Sequence, residues 1–315
     1  MYKRQTKDLL IRKQLPETSS LEYSLTNDGK LKNKGFEIAT NIRILNLRSW
    51  QLDFGAMLGH YKNKIVSLAG GSYTTDFQGA RILTAENSPA GVFYGYKTKG
   101  VFSTSEEAAA AGLSLRSESG ELIPFSAGDM RFEEVVEDHI INEKDLQVIG
   151  DPNPDLYGNF NFNLRYKNLT LETLFTYSYG NDAYNGLRAN LESGSNIYNQ
   201  ATSMQNRWVA NGQKTDIPRA VYKDPMGNSR FSDRWIEDAS FLKFKTLSVS
   251  YKVPLNLSYL QEITVWGTVN NLFTLTKYKG ADPEFSYGNS VLYQGIDAGL
   301  TPQSRSFLIG VRVNL

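Results

Sequence analysis

The chain closes on an alternation. Phe307, Ile309, Val311, Val313 and Leu315 fall on one side of an extended backbone, and Leu308, Gly310, Arg312 and Asn314 on the other. The same period of two recurs upstream. Over 34–45, Phe36, Ile38, Thr40, Ile42 and Ile44 oppose Glu37, Asn41 and Arg43. Over 50–59, Trp50, Leu52, Phe54, Ala56 and Leu58 oppose Gln51, Asp53, Gly55 and Gly59. A hairpin follows, with Phe160, Phe162, Leu164 and Tyr166 alternating with Asn161, Asn163, Arg165 and Lys167. Its second arm sets Leu169, Leu171, Thr173, Phe175, Tyr177 and Tyr179 against Thr170, Glu172, Thr176 and Ser178. Strands over 247–253 (Val249 and Tyr251 outward) and 263–270 (Ile263, Val265, Gly267, Val269) complete the set. Residues 1–11 read weakly as one more strand, and 14–33 as a loop with turn chemistry at Asn27-Asp28-Gly29.

The connections alternate in length: short at 46–48, long over 62–157, tight at Asn168, long over 180–238, modest over 254–261 and long over 277–304. The first long one contains a short helix over Ser105–Ala111, capped by Ser103 or Thr104 and stopped by Gly112, and it ends in a rigid turn over 150–155. In the second, Leu187, Leu191, Ala201, Met204 and Trp208 hint at helix, broken at Gly194.

Antiparallel strands place alternate connections at opposite ends, so every long loop emerges on one side. That asymmetry fits a transmembrane β-barrel, and a two-sheet sandwich has no reason for it. The stripes fit too: an eleven-residue strand rises about 34 Å, which a tilt near 40° reduces to roughly 26 Å, close to the apolar band of such barrels. Lys243 and Lys245 break the alternation, and their place beside a long loop predicts that they reach the headgroups. The expectation is an all-β, antiparallel transmembrane barrel with long external loops that contain short helices.

Composition removes other classes. Net charge is +1, from 34 Lys+Arg against 33 Asp+Glu, so nothing favours nucleic acid. Cysteine is absent, which excludes disulfides and thiolate metal sites. Mean hydropathy is −0.40 and no apolar run has the length of a spanning helix, which leaves a barrel open. Eighteen Tyr and 16 Phe suit strands and membrane-interface belts. No secretory leader opens the sequence, so an outer-membrane reading makes it the C-terminal piece of a longer chain.

Several stretches, in order, carry a family resemblance. They are 34–37 (KGFE), 93–96 (FYGY) with Gly100 and Phe102, and 148–155 (VIGDPNPD). Further on come 179–185 (YGNDAYN), 232–238 (SDRWIED), 270–273 (NNLF) and 278–284 (YKGADPE). With these the chain resembles the C-terminal part of the SusC/RagA family of TonB-dependent outer-membrane transporters. The resemblance implies that 1–315 forms about the last eight strands of a 22-stranded plugged barrel, in the outer membrane of a Bacteroidetes-like cell. It implies partners as well: a SusD-like surface lipoprotein, TonB through an N-terminal part outside this sequence, outer-membrane lipid and a small oligomeric nutrient, oligosaccharide or peptide. A passive surface barrel that binds glycan or host ligand is the alternative, and a soluble glycan-binding sandwich a third.

Candidate chemistry is sparse. His60 and His139 sit in no nucleophile or zinc spacing, so neither an enzyme nor a cofactor is expected, and His60 reads as interfacial. Glu134, Asp138 and Asp145 space a weak calcium loop, with Val136 at a ligand position and His139 where glycine belongs; otherwise it is a solvated acidic loop. Arg165, Trp266 and Asn270 fall on the polar parity and either line the solute path or pack against the plug. Trp208 and Trp235, each after an arginine, are candidates for stacking on a solute or for packing the loops together.

Overall fold

The computed structural model describes residues 1–14, 23–68, 70–254, 259, 261–288 and 290–314. The turn expected after Pro254 lies largely outside them, as does Leu315.

One antiparallel sheet organises the chain. Its strands are β1 (Tyr2–Gln14), β2 (Tyr23–Asn46), β3 (Trp50–Ser67) and β4 (Leu156–Tyr166), then β5 (Leu169–Tyr179), β6 (Phe241–Val253), β7 (Glu262–Thr276) and β8 (Ser306–Asn314). Each pairs with its neighbours in sequence order, so the sheet is a meander with β1 and β8 at its edges. Register follows the alternation. Ile42, Phe54, Phe162, Thr173, Leu247, Val269 and Phe307 form one continuous row. Asn41, Gly55, Asn161, Leu174, Thr246, Asn270 and Ser306 form the row beside it on the opposite face.

The apolar face is open. Ile38, Ile42 and Ile44 are 57%, 51% and 56% exposed, and Ile309 is 87% exposed. Among the described residues no second sheet covers these stripes, so the sandwich reading fails at its defining contact. Aromatic side chains run across the open face: the Phe160, Phe175 and Phe244 rings stack at centroid distances of 4.7 and 4.3 Å, and Phe273 meets Phe244 at 5.6 Å. Nearer the short turns, Trp50 and Tyr166 pack at 4.2 Å. Among the described residues no helix is long and apolar enough to cross a membrane.

The protein's dry core lies elsewhere. Every fully buried apolar side chain among the described residues belongs to a long connection, or to the outward end of β3 in the case of Ile65. One cluster gathers Phe102, Leu113, Phe125, Met130, Phe132 and Ile141 from the first connection with Met226 from the second. Another joins Ile82, Phe93, Tyr184, Trp235 and Ile296 from all three. The loops thus fold together as a body at one end of the sheet.

Four expectations need correction or extension. The stretch 14–33 is not all loop: β2 begins at Tyr23, and Asn27-Asp28-Gly29 sits at a register shift in the β1–β2 ladder. Here β2 and β3 pair beyond the apolar stripes, Lys32 with Lys64 and Asn33 with Asn63, where polarity hides the strand signal. The first long connection is ordered, holding a four-stranded sheet with Tyr73–Phe77, Ala80–Thr84, Val92–Gly95 and Gln147–Gly150. Its helix, α1 (Ser105–Ala111), takes Thr104 as N-cap, with Glu107 N–H bonded to Thr104 Oγ1 at 3.1 Å, and Gly112 ends it at φ 66°. In the second connection the hinted helix is only α2 (Gly186–Leu191), and Thr202–Asn206 is a 3-10 turn.

Lys243 and Lys245 give the fourth correction. Phe175 pairs with Phe244 but Leu174 with Thr246, so Lys245 is an extra residue. On the other side Phe244 faces Phe273 and Thr246 faces Asn270, with Asn271 left-handed at φ 53°. This double irregularity reverses parity: Lys243 lies opposite Thr176 and Thr274, on the polar face, and does not reach outward.

Candidate functional site: the polar face and the loop body over it

The polar face is knitted by side chains across neighbouring strands. Arg43 Nε bonds Asp53 at 2.7 Å, Ser248 and Thr268 hydroxyls meet at 2.9 Å, and Lys252 pairs with Glu262 at 2.8 Å. Asn270 accepts from Thr246 Oγ1 at 3.1 Å and donates to Ser306 Oγ at 3.1 Å, so its amide is engaged in the wall. The Trp266 indole lies against Gly310, where an added Cβ would come within 2.5 Å of the ring; only glycine admits it. Arg165, exposed between Gln51 and Thr170, forms no ion pair among the described residues. Of the three candidates on this face, Asn270 alone has its polar group hydrogen-bonded among the described residues.

Lys243 anchors the third connection to that wall. It is 2% exposed, and its ammonium donates to Asp282 at 2.9 and 3.1 Å and to Glu284 at 2.9 Å. Lys245 donates to Glu284 at 2.8 Å and to Gln303 at 2.7 Å. A lysine buried this deeply needs opposite charge beside it, and two carboxylates from one loop supply it. Sequence reasoning missed this cluster. The signal was present in the parity break at Lys243 and in Asp282-Pro283-Glu284, but the bulge that joins them has no sequence signature beyond Asn271.

Where the roots of the three long connections meet β4, β5 and β6, a cavity of about 410 Å³ opens. Asn159, Thr176 and Ser178 present the strand side, and Pro152, Asn181 and Phe285 belong to the loop roots. Glu284 also lines it, already paired with Lys243 and Lys245, so amides, hydroxyls and a few rings are left to meet a neutral, hydrogen-bonding solute.

The two loop tryptophans differ. Trp235 is 1% exposed and donates Nε1–H to Arg230 O at 3.1 Å, so its ring is closed to solutes. Trp208 is half-buried over Gly128 and donates to Ser103 O at 3.1 Å. Arg234 stacks on Trp235 at 4.3 Å, and burial lowers its pKa to about 10 against the pull of Glu192 at 3.8 Å. Arg188 bridges Glu192 and Glu237 at 3.1 and 2.8 Å, tying α2 to the following loop.

In the acidic loop, Asp145 is fully buried. Its oxygens accept from Val135 and Val136 N–H at 2.8 and 3.2 Å and from Asn142 N–H at 2.9 Å. Glu134 accepts from His139 N–H, and Asp138 accepts from Ile140 N–H at 3.0 Å. His139 adopts φ 58°, the turn conformation that glycine would favour. Among the described residues no three metal-ligating side chains gather. His60 bonds Asp155 O through Nδ1 at 2.5 Å, fastening β3 to the turn before β4.

No protein-family model matches the chain. Two TonB-dependent receptors of Formosa agariphila are 32% and 28% identical to it over 99% of its length. The TonB-dependent receptor SusC of Bacteroides thetaiotaomicron is 26% identical over 98%. Among solved structures, that of the RagAB peptide transporter superposes with a TM-score of 0.76 at 22% identity, covering 99% of this chain.

Over nearly its whole length the chain is similar to TonB-dependent receptors of the SusC/RagA type. It spans 31%, 32% and 29% of those relatives' lengths and 32% of the RagAB chain. In a SusC/RagA-type barrel the open apolar stripes are the lipid-facing surface and the polar rows face the lumen. Long loops on one side and short turns on the other then match external and periplasmic ends.

Proposed function

We propose that the chain is the C-terminal part of an outer-membrane barrel that imports an oligomeric nutrient, oligosaccharide or peptide, in a TonB-dependent step. The observation that carries this reading is the folded loop body seated over the polar face, with the 410 Å³ cavity between them. A passive pore does not require such a packed body. A transporter that must hold a solute before admitting it does.

In this reading Arg165, Trp266 and Asn270 line the solute's way or face the plug, and the cavity at the loop roots receives the solute first. Trp208 and Trp235 hold the receiving loops in shape. A SusD-like lipoprotein captures nutrient above the loops, and TonB, engaged through another part of the protein, opens the path. No cofactor or catalysis is needed.

The test is uptake. A strain deleted for the gene, or for TonB, is supplied with labelled oligosaccharides and peptides. Loss of accumulation of one of them in both strains supports import. Binding at the surface that persists without TonB, with no accumulation in the wild type, establishes the passive receptor instead.

A further inference from the structure

A second cavity of about 410 Å³ lies within the loop body, lined by Asp76, Arg81, Tyr94, Tyr96, Glu143 and Arg230 among others. Arg230 is held rigidly at it. Its Nε donates to Gly227 O at 2.8 Å and its Nη2 to Met226 O at 2.9 Å. Its guanidinium carbon sits 4.9 Å from the Tyr96 ring centre and 4.6 Å from that of Phe132. Both bonds go to backbone carbonyls, and among the described residues no carboxylate lies within ion-pair distance of it; Asp224 attracts it only from further off, and the Tyr96 hydroxyl lies beside it. A largely desolvated cation is ordinarily matched by an opposite charge. Arg81, by contrast, is matched, bonding Asp76 at 3.0 Å.

We propose that this cavity binds the carboxylate of a small ligand, with Arg230 as the charge that receives it. A guanidinium with no carboxylate in contact calls for a single negative charge. A dianion such as phosphate is disfavoured, because Glu143 lines the same cavity and acts on Arg81 and Tyr96. Tyr94 and Tyr96 give the ligand's apolar side a wall, and Glu143 accepts from a hydroxyl or an ammonium at the far end. Two sources share this chemistry: a uronic acid, with hydroxyls for Glu143, and a short peptide, with its terminal ammonium there. The assignment rests on the loop cavity alone and stands apart from the import reading.

Calorimetric titration of the full-length protein in detergent tests it with four probes: galacturonate, galactose, alanylalanine and alanylalanine amide. One of the two acids binds at least about tenfold more tightly than its neutral counterpart, and which one does so names the source. Arg230→Gln removes that preference, whereas Arg230→Lys keeps a weakened one because the charge remains without the planar fork. Glu143→Gln, at the exposed edge, tightens galacturonate several-fold by removing a repelling charge and weakens alanylalanine by removing the partner of its ammonium. Retained preference in Arg230→Gln, equal binding of acid and neutral probe, or no binding of any probe at about 10 mM overturns the proposal. Should Arg230→Gln fail to fold, as read by Trp235 fluorescence, Glu143→Gln decides alone: tighter galacturonate or weaker alanylalanine supports the site, and any other result for the preferred acid refutes it.

Discussion

Val249 and Ser248 are consecutive residues with opposite solvents. Val249 lies in a row between Leu171 and Gly267 and is 40% exposed on the apolar face, whereas Ser248 bonds Thr268 on the polar one. Val249→Arg therefore lowers the stability of the assembled barrel by about 2–4 kcal/mol near the bilayer midplane, and Ser248→Arg costs much less. Unfolding in urea, followed by the gel shift between folded and heat-denatured barrel, measures both; equal losses would sink the face assignment. Lys243 shows the same logic with charge. Lys243→Met strands Asp282, leaves Glu284 to Lys245 alone and costs about 3–5 kcal/mol, whereas Lys243→Met combined with Asp282→Asn and Glu284→Gln recovers much of the loss. If the triple variant is no more stable than the single one, the carboxylates are not what the lysine serves. Asp182 supplies a pH signature. Burial raises its pKa, with Asp151 and Asp238 adding to the effect, and its carboxylate accepts from Asp151 N–H at 2.9 Å. An acid whose folded pKa is raised costs stability above that pKa, and the cost vanishes as pH falls through it. Asp182→Asn thus protects the loop body from protease at about pH 7, and the advantage fades toward about pH 4. An advantage unchanged across that range would refute the burial account.

At the scale of elements, legibility followed the solvent. Where a strand separates lipid from a watery lumen, side chains must alternate, and the alternation over 34–59, 160–179 and 263–270 revealed the ribbon and its register. Where the same ribbon leaves the membrane, that constraint lapses. The outward ends of β2 and β3, with Lys30 opposite Ser67 and Lys32 opposite Lys64, carry no stripe and read as loop. The bulge at Lys245 was illegible for another reason: an extra residue in one strand reverses parity and makes Lys243 look misplaced, although it is correctly buried against Asp282 and Glu284. Capping chemistry was readable because it is local, as with Thr104 and Gly112 around α1. The cavities were not, since Tyr96, Glu143 and Arg230 meet only through a three-dimensional fold of loops.

Across the whole molecule, two kinds of stability coexist. The sheet has no dry core of its own; ladder hydrogen bonds and contact with hydrocarbon hold it, because unpaired backbone groups are prohibitive in lipid. The loop body is stabilised as a water-soluble domain is, by burying Phe93, Phe102, Phe132, Trp235 and Ile296, and its buried polar groups are largely tied to backbone or to one another. Urea acts directly on the second kind and reaches the first only after displacing lipid or detergent. The chain has four tryptophans, two in each region: Trp50 and Trp266 in the sheet, and Trp208 and Trp235 in the loops. A Trp50→Phe, Trp266→Phe variant of the full-length protein, with any tryptophans outside this chain also replaced, reports the loop body alone. Its fluorescence transition comes at lower urea than the loss of the folded-barrel gel band, and the separation grows in Phe93→Ala, which costs the loop core about 3–5 kcal/mol. Coincident transitions that move together in Phe93→Ala would mean that the loops and the sheet form one cooperative unit. The loop body could then not rearrange over the lumen without loosening the wall beneath it, and solute admission would have to proceed with these loops fixed.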